Sequence, residues 1–220
     1  MNMSRYCNVG VAILSLLAIA ACGRPKPSST TPRDVFAAVP VAPLPTASLG
    51  GVQVLLLTVG TVQVGDTVNR LPALEARRSA LVGTAYAALD SALRRDAREV
   101  EWMGLEEQLR AAGRNPTLGV RPERFATVYL SDPELEVIPD PLWGQARTLI
   151  AVMGGRFVLV PAAVRLRATG DAVTATYLLV MADARSGRVL WRGRLEGRPA
   201  PTAEAAFAAA AATAIATPLP

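Results

Sequence analysis

Three apolar runs between residues 156 and 196 restrict this chain more than any other feature. Arg156-Phe157-Val158-Leu159-Val160 opens the first, which continues to Arg167; Val173–Ala182 is the second and Arg188–Glu196 the third. Short runs rich in Val, Leu and aromatic residues, bounded by turn residues, read as strands. Their connections are Thr169-Gly170-Asp171 and Asp183-Ala184-Arg185-Ser186-Gly187. Links of that length join antiparallel neighbours, because a parallel pair needs a crossover of a dozen residues or more. The segment therefore predicts a three-strand meander. In its last strand Val189, Trp191 and Leu195 alternate with Arg188, Arg192, Arg194 and Glu196, which predicts one core face and one wet face.

Ahead of the meander the pattern alternates between strand and helix. Val52–Val59 is apolar and reads as a buried strand, whereas Gly60–Asn69 is polar with turn residues at Gly65 and Asp66. Pro72 suits a first helical turn, and Leu74, Leu81, Ala85, Leu89 and Leu93 form one stripe of a helix reaching Ala97. Glu99–Met103 reads as a short strand, and Leu105–Ala112 as a short helix closed by Gly113. Pro116, Pro122, Pro133 and Pro139 predict a wrap-around loop over 114–139, with one helical turn near Glu123–Leu130. Asp140-Pro141 starts a helix over Leu142–Met153, and Gly154-Gly155 stops it. Thr202 caps a terminal helix, Ala203 to Ala216, expected to pack weakly because Phe207 and Ile215 are its only large apolar residues. The order β-α-β-α-α-β-β-β-α predicts the α/β class, with helices packed on a mixed sheet that ends in an antiparallel meander.

Composition removes most catalytic chemistry. The chain has no histidine, and so lacks the commonest general base, the commonest metal ligand and the usual partner of a nucleophilic serine or cysteine. Zinc sites of the Cys/His kind are excluded, and no phosphate-cradling glycine motif or nucleophile elbow occurs. Glu106-Glu107 and Asp132/Glu134/Glu136 are the only acidic clusters. Three loop carboxylates could hold a hard cation or serve a glycosidase pair, but a solvated loop is the simpler reading. No catalytic residue, metal ligand or cofactor is assigned, and no enzymatic activity is expected. The formal net charge is +5, carried almost wholly by arginine, since Lys26 is the only lysine. Two readings stay open: an arginine-writing, GC-rich genome, or a basic face that meets anionic envelope polymers or an acidic protein. No arginine cluster is interleaved with aromatics, so nucleic acid is not an expected partner.

Residues 1–21 stand apart. Arg5 precedes Val9–Ala21, an apolar run broken only by Gly10 and Ser15, which matches a signal-peptide core and is too short to span a bilayer. Ile19-Ala20-Ala21-Cys22 resembles the lipobox of bacterial lipoprotein signals. The resemblance implies that Cys22 receives a thioether-linked diacylglycerol, becomes the mature N-terminus and is N-acylated with a chain such as palmitate. Each buried methylene contributes about 0.8 kcal/mol, so two or three chains hold where one is marginal. Gly23, in place of an aspartate, implies export to the outer membrane, with the chain held at its periplasmic face. Cys7 is the only other cysteine and leaves with the leader, so no intramolecular disulfide is available. Residues 23–49 are proline-rich and read as a tether, with a reach on the order of 80 Å in polyproline form. The expected organisation is a leader over 1–21, a lipidated cysteine and tether over 22–50, and one globular domain over 51–220.

The segments Gly154–Val160 and Leu179–Trp191 resemble the superfamily that includes the TolB N-terminal domain, the curli-secretion lipoprotein CsgG and the LpoB-type activators of penicillin-binding proteins. Asp183, Ser186, Gly187, Arg188 and Trp191 fill its turn pattern, in which Asp bonds its own turn, Gly takes positive φ and Trp fills the core beneath. The resemblance covers roughly residues 51–196. It implies an architectural role for these residues and a non-catalytic, protein-binding domain assisting envelope or peptidoglycan assembly. The alternative it implies is an oligomeric, CsgG-like secretion component.

Overall fold

A computed structural model describes residues 34–65 and 77–215. The leader, Cys22, the run to Arg33, Pro72, Leu74 and residues 216–220 lie outside the described residues. The strands are β1 (Gln53–Leu56), β2 (Val62–Val64), β3 (Glu101–Met103), β4 (Phe157–Thr169), β5 (Ala172–Asp183) and β6 (Val189–Glu196). The helices are α1 (Arg78–Asp96), α2 (Leu105–Arg114), α3 (Leu142–Met153) and α4 (Ala203–Ala211). The sheet order is β3-β1-β4-β5-β6, with β2 also paired to β4. β1 lies parallel to β3 and β4, and β4-β5-β6 is the antiparallel meander. The molecule is thus a mixed α/β sheet of the predicted class.

Both faces of the sheet are covered. The apolar stripe Leu81, Ala85, Leu89, Leu93 seats α1 on one face beside α4. There Tyr177 meets Phe207 edge-on at 6.2 Å and donates its hydroxyl to Ala85 O at 2.8 Å. Helix α4 does not pack weakly, as its composition suggests: Ala203, Ala206, Phe207, Ala210 and Ala211 are all buried. Its small side chains let the helix come close, and Thr202 Oγ1 accepts from Ala205 N at 3.2 Å as the expected cap. The other face holds α3, through Leu142, Ala146, Leu149 and Ile150, together with Phe125, Leu130 and Ile138 of the wrap-around loop.

Several boundaries differ from the sequence reading. Val62-Gln63-Val64, read as part of a polar turn region, is a strand because β4 offers it a parallel edge at Val164–Leu166. β1 pairs with β4 only as far as Leu159, which leaves that edge of β4 free for β2; the register shift between Pro161 and Ala163 lies in the pairing with β5. Helix α2 runs through Gly113 and is closed by Asn115, whose Nδ2 donates to Ala111 O at 2.9 Å. The loop forms three 3-10 turns, Pro116–Leu118, Pro122–Arg124 and Thr127–Ser131.

The tether boundary is the largest correction. Residues 34–49 belong to the domain, with Phe36, Val39, Leu44 and Leu49 buried. Arg165 of β4 donates to both oxygens of Asp34, at 2.8 and 2.6 Å, and lies 4.0 Å over the Phe36 ring. Arg194 of β6 donates to Phe36 O at 2.7 Å, and Val41 bridges the same strand. Proline density allows no helix longer than a 3-10 turn at Thr46–Ser48, but it leaves side chains free to pack on a sheet edge. Removing the buried Phe36 ring (Phe36→Ala) is expected to cost about 3–5 kcal/mol in denaturant unfolding of the mature chain. An unstructured tether would show no change.

The Arg165 hydrogen bonds hold the Asp34 carboxyl down at about 2. A carboxyl depressed in the folded state stabilises above its unfolded value near 3.8, and that contribution is lost as pH falls towards about 2. Asp34→Asn is therefore expected to remove part of the stability lost between about pH 4 and pH 2, read from thermal melts across that window.

Candidate functional site

The β5–β6 turn is built on Asp183. Its Oδ1 accepts from the backbone N–H of Arg185 at 2.8 Å and of Ser186 at 3.3 Å, and its Oδ2 accepts from Arg156 Nε at 2.8 Å. Burial opposes the charge, but these donors outweigh it and hold the carboxyl below the usual carboxylate range. Gly187 has φ of 75° and donates its N–H to Asp183 O at 2.8 Å. Ser186 Oγ accepts from Arg188 N at 3.4 Å, and the Arg188 side chain is exposed. The turn brings Asp183, Ser186, Gly187 and Arg188 together.

Trp191 is not part of that group. Met181 pairs with Trp191 and Ala182 with Val189, so Leu190 is an extra residue in β6. The bulge turns Val189 and Trp191 to opposite faces of the sheet, which breaks the alternation read from the sequence. Trp191 lies over Gly193, where no Cβ would fit. The ring beneath the turn is Trp143 of α3, which donates Nε1–H to Ala184 O at 2.9 Å and comes within 3.1 Å of a Cβ placed at Gly187. Arg192 and Arg194 are half-buried rather than wet. Arg192 donates to Leu130 O at 2.6 Å and to Leu135 O, and its burial pushes the guanidinium pKa down.

In open α/β sheets, ligands settle in the crevice at the carboxyl ends of parallel strands. Here the protein's own side chains fill that place. Gln108 of α2 is fully buried and donates to Leu56 O at 2.8 Å and Met103 O at 2.9 Å, at the ends of β1 and β3. Thr127 of the loop is also fully buried and donates to Thr58 O at 3.0 Å. The acidic clusters lie elsewhere. Asp132, Glu134 and Glu136 are exposed on the loop, and Glu107 is paired with Arg94 at 3.3 Å and Arg110 at 3.7 Å. Among the described residues, no three His, Cys, Asp or Glu side chains form a metal-binding group.

Open concavities lie elsewhere: one of about 610 Å³ on the loop beside Val128, Tyr129 and Leu135, one of about 410 Å³ beside β3, and two that flank α3. Between α3 and the β5–β6 turn lies a cleft of about 760 Å³, with Arg147 and Arg185 on its walls and Ala151, Gly154, Gly155 and Ala184 along it. Gly154 and Gly155 both have φ of 89° and end α3 where a Cβ would run into Gln53 of β1, at 2.6 and 2.8 Å. On its other flank, α3 and α2 enclose a cleft of about 350 Å³ lined by Arg110, Arg114, Val152 and Met153, with Glu107 as its acid. Nothing in the linear sequence joins Arg147 to Arg185; only the packing of Trp143 under the turn does so.

No protein-family model matches the chain, and no curated protein matches it. Among solved structures it is similar to the LpoB C-terminal domain from Salmonella enterica, at 14% identity and a TM-score of 0.35 over 67% of this chain and 83% of that one. It is also similar to lipoprotein GNA1162 from Neisseria meningitidis, at 14% identity and a TM-score of 0.34 over 67% and 80%. A third is the PelC dodecamer from Paraburkholderia phytofirmans, at 11% identity and a TM-score of 0.34 over 80% and 89%. Values this low carry no inference about function, and the site rests on this chain's own geometry.

Truncating Asp183 to alanine strands two backbone N–H groups and frees Arg156. It is expected to destabilise the domain by about 2 kcal/mol in urea unfolding. A change under about 0.5 kcal/mol would show that the turn holds without its carboxylate.

Proposed function

We propose that this chain is an envelope lipoprotein whose folded domain binds a protein partner without catalysing a reaction. In this reading, acyl chains on Cys22 hold it at the periplasmic face of the outer membrane. The observation that carries the proposal is Ile19-Ala20-Ala21-Cys22 directly after a short apolar leader. Among the described residues no helix is long and apolar enough to cross a membrane.

The clasp at Asp34 shortens the tether. Residues 23–33 separate the cysteine from the domain, and fully extended they reach no more than about 40 Å. A domain held that close works beside its membrane. The filled crevice at the ends of β1 and β3 supports the non-catalytic reading, since a substrate would have to displace Gln108 and Thr127. The wrap-around loop buries Phe125, Leu130 and Ile138 against the sheet, which supports a docking module over a pore former.

The test is fractionation of cells producing the full chain. Wild type is expected to sediment with membranes and to form crosslinks to an envelope protein with formaldehyde, whereas Cys22→Ser appears in the soluble fraction. A Cys22→Ser protein that still sediments would contradict lipid attachment. Shortening within residues 24–32 tests reach and leaves the Asp34–Phe36 clasp intact.

A further inference from the structure

We propose that the outer face of α3, with the cleft beside it, docks an acidic segment of the partner protein. The inference rests on the protein-binding reading above and names the chemistry of what is bound.

Some of the described arginines are neutralised by acids and others are not. Arg94, Arg95, Arg156 and Arg165 each meet a carboxylate at 3.0 Å or less. Arg147 and Arg185 meet none among the described residues, although both are exposed on the walls of one cleft. Arg147 is held in place by the Trp143 ring, 5.1 Å from its guanidinium. Three acids on the elements around it have partners of their own. Asp183 is bound by Arg156, Asp140 Oδ1 accepts from Gly144 N at 3.3 Å, and Glu107 is shared by Arg94 and Arg110. Two cations over a concave wall raise the local positive potential and attract carboxylates.

Shape selects the occupant. The cleft is a hollow of about 760 Å³ that Ala151, Gly154, Gly155 and Ala184 line together with the arginines, and a flat bilayer would span it without filling it. A protruding chain fills it. The filled crevice at the strand ends offers no such opening.

The probe is a fluorescent decaglutamate peptide, with phosphatidylglycerol vesicles and inorganic phosphate as the other arms. The mature chain carrying Cys22→Ser is used, so no detergent is needed. Peptide binding by anisotropy is expected to weaken with salt and to fall at least tenfold in Arg147→Gln/Arg185→Gln. Arg77→Gln/Arg198→Gln removes the same charge beside α1 and α4 and is expected to cost less than twofold. Arg147→Lys/Arg185→Lys, which keeps the charge, is expected to stay within threefold of wild type. Should the double glutamine variant fail to melt like wild type, Arg185→Gln alone decides, with at least a threefold loss expected from its exposed turn position. Equal losses in the two glutamine pairs would overturn the proposal. So would binding to vesicles or phosphate without binding to peptide. Either result leaves the membrane fractionation untouched, so a failure here is distinct from a failure of lipid attachment.

Discussion

Strand β4 hydrogen-bonds to β1 and then β2 along one edge and to β5 along the whole of the other. Its backbone groups have no water to turn to, because α1 and α4 cover one face and α3 with the loop covers the second. Two arginines mark the ends of its influence. Arg156, just before the strand, holds the carboxylate of the β5–β6 turn, and Arg165 holds Asp34 where the chain joins the domain. The cleft and the clasp are therefore fixed to one element. A shift of β4 by one residue would exchange its faces and move both.

The clasp changes what the proline-rich segment means. Its prolines allow only a 3-10 turn at Thr46–Ser48 but do not prevent burial, and Phe36 is buried under Arg165 of β4, distant in sequence. Much of the domain was nonetheless legible. The meander, the α1 stripe and the Gly154-Gly155 stop follow from periodicity and turn chemistry, which act locally. Several of the differences depend on a distant partner. Val62–Val64 is a strand only because β4 has an edge to spare, and Arg192 and Arg194 are inward-reaching because a loop and the amino-terminal segment offer them carbonyls. The Leu190 bulge carries no turn signal in the sequence, yet it sends Trp191 to the opposite face from Val189. The candidate site was half visible: the Asp183–Arg188 turn could be read, and the Arg147 wall opposite it could not.

A docking role fits the distribution of order in the molecule. The places where a mixed sheet usually accepts a small ligand are closed by buried amide and hydroxyl groups. Among the concavities that stay open is an arginine-walled cleft beside α3, next to a tryptophan that also braces the adjoining turn. Surfaces of that kind recognise other macromolecules by charge and shape. Lipid on Cys22 would add nothing to this affinity directly, but it would confine the domain to a thin layer and so raise the local concentration of any envelope partner.

The most direct measurement is the mass of the first peptide of protein extracted from membranes. Lipid attachment predicts a peptide that starts at Cys22 and carries a diacylglycerol on sulfur with a further acyl chain on its amine. A bare thiol at Cys22, or the leader still joined ahead of it, would contradict the assignment.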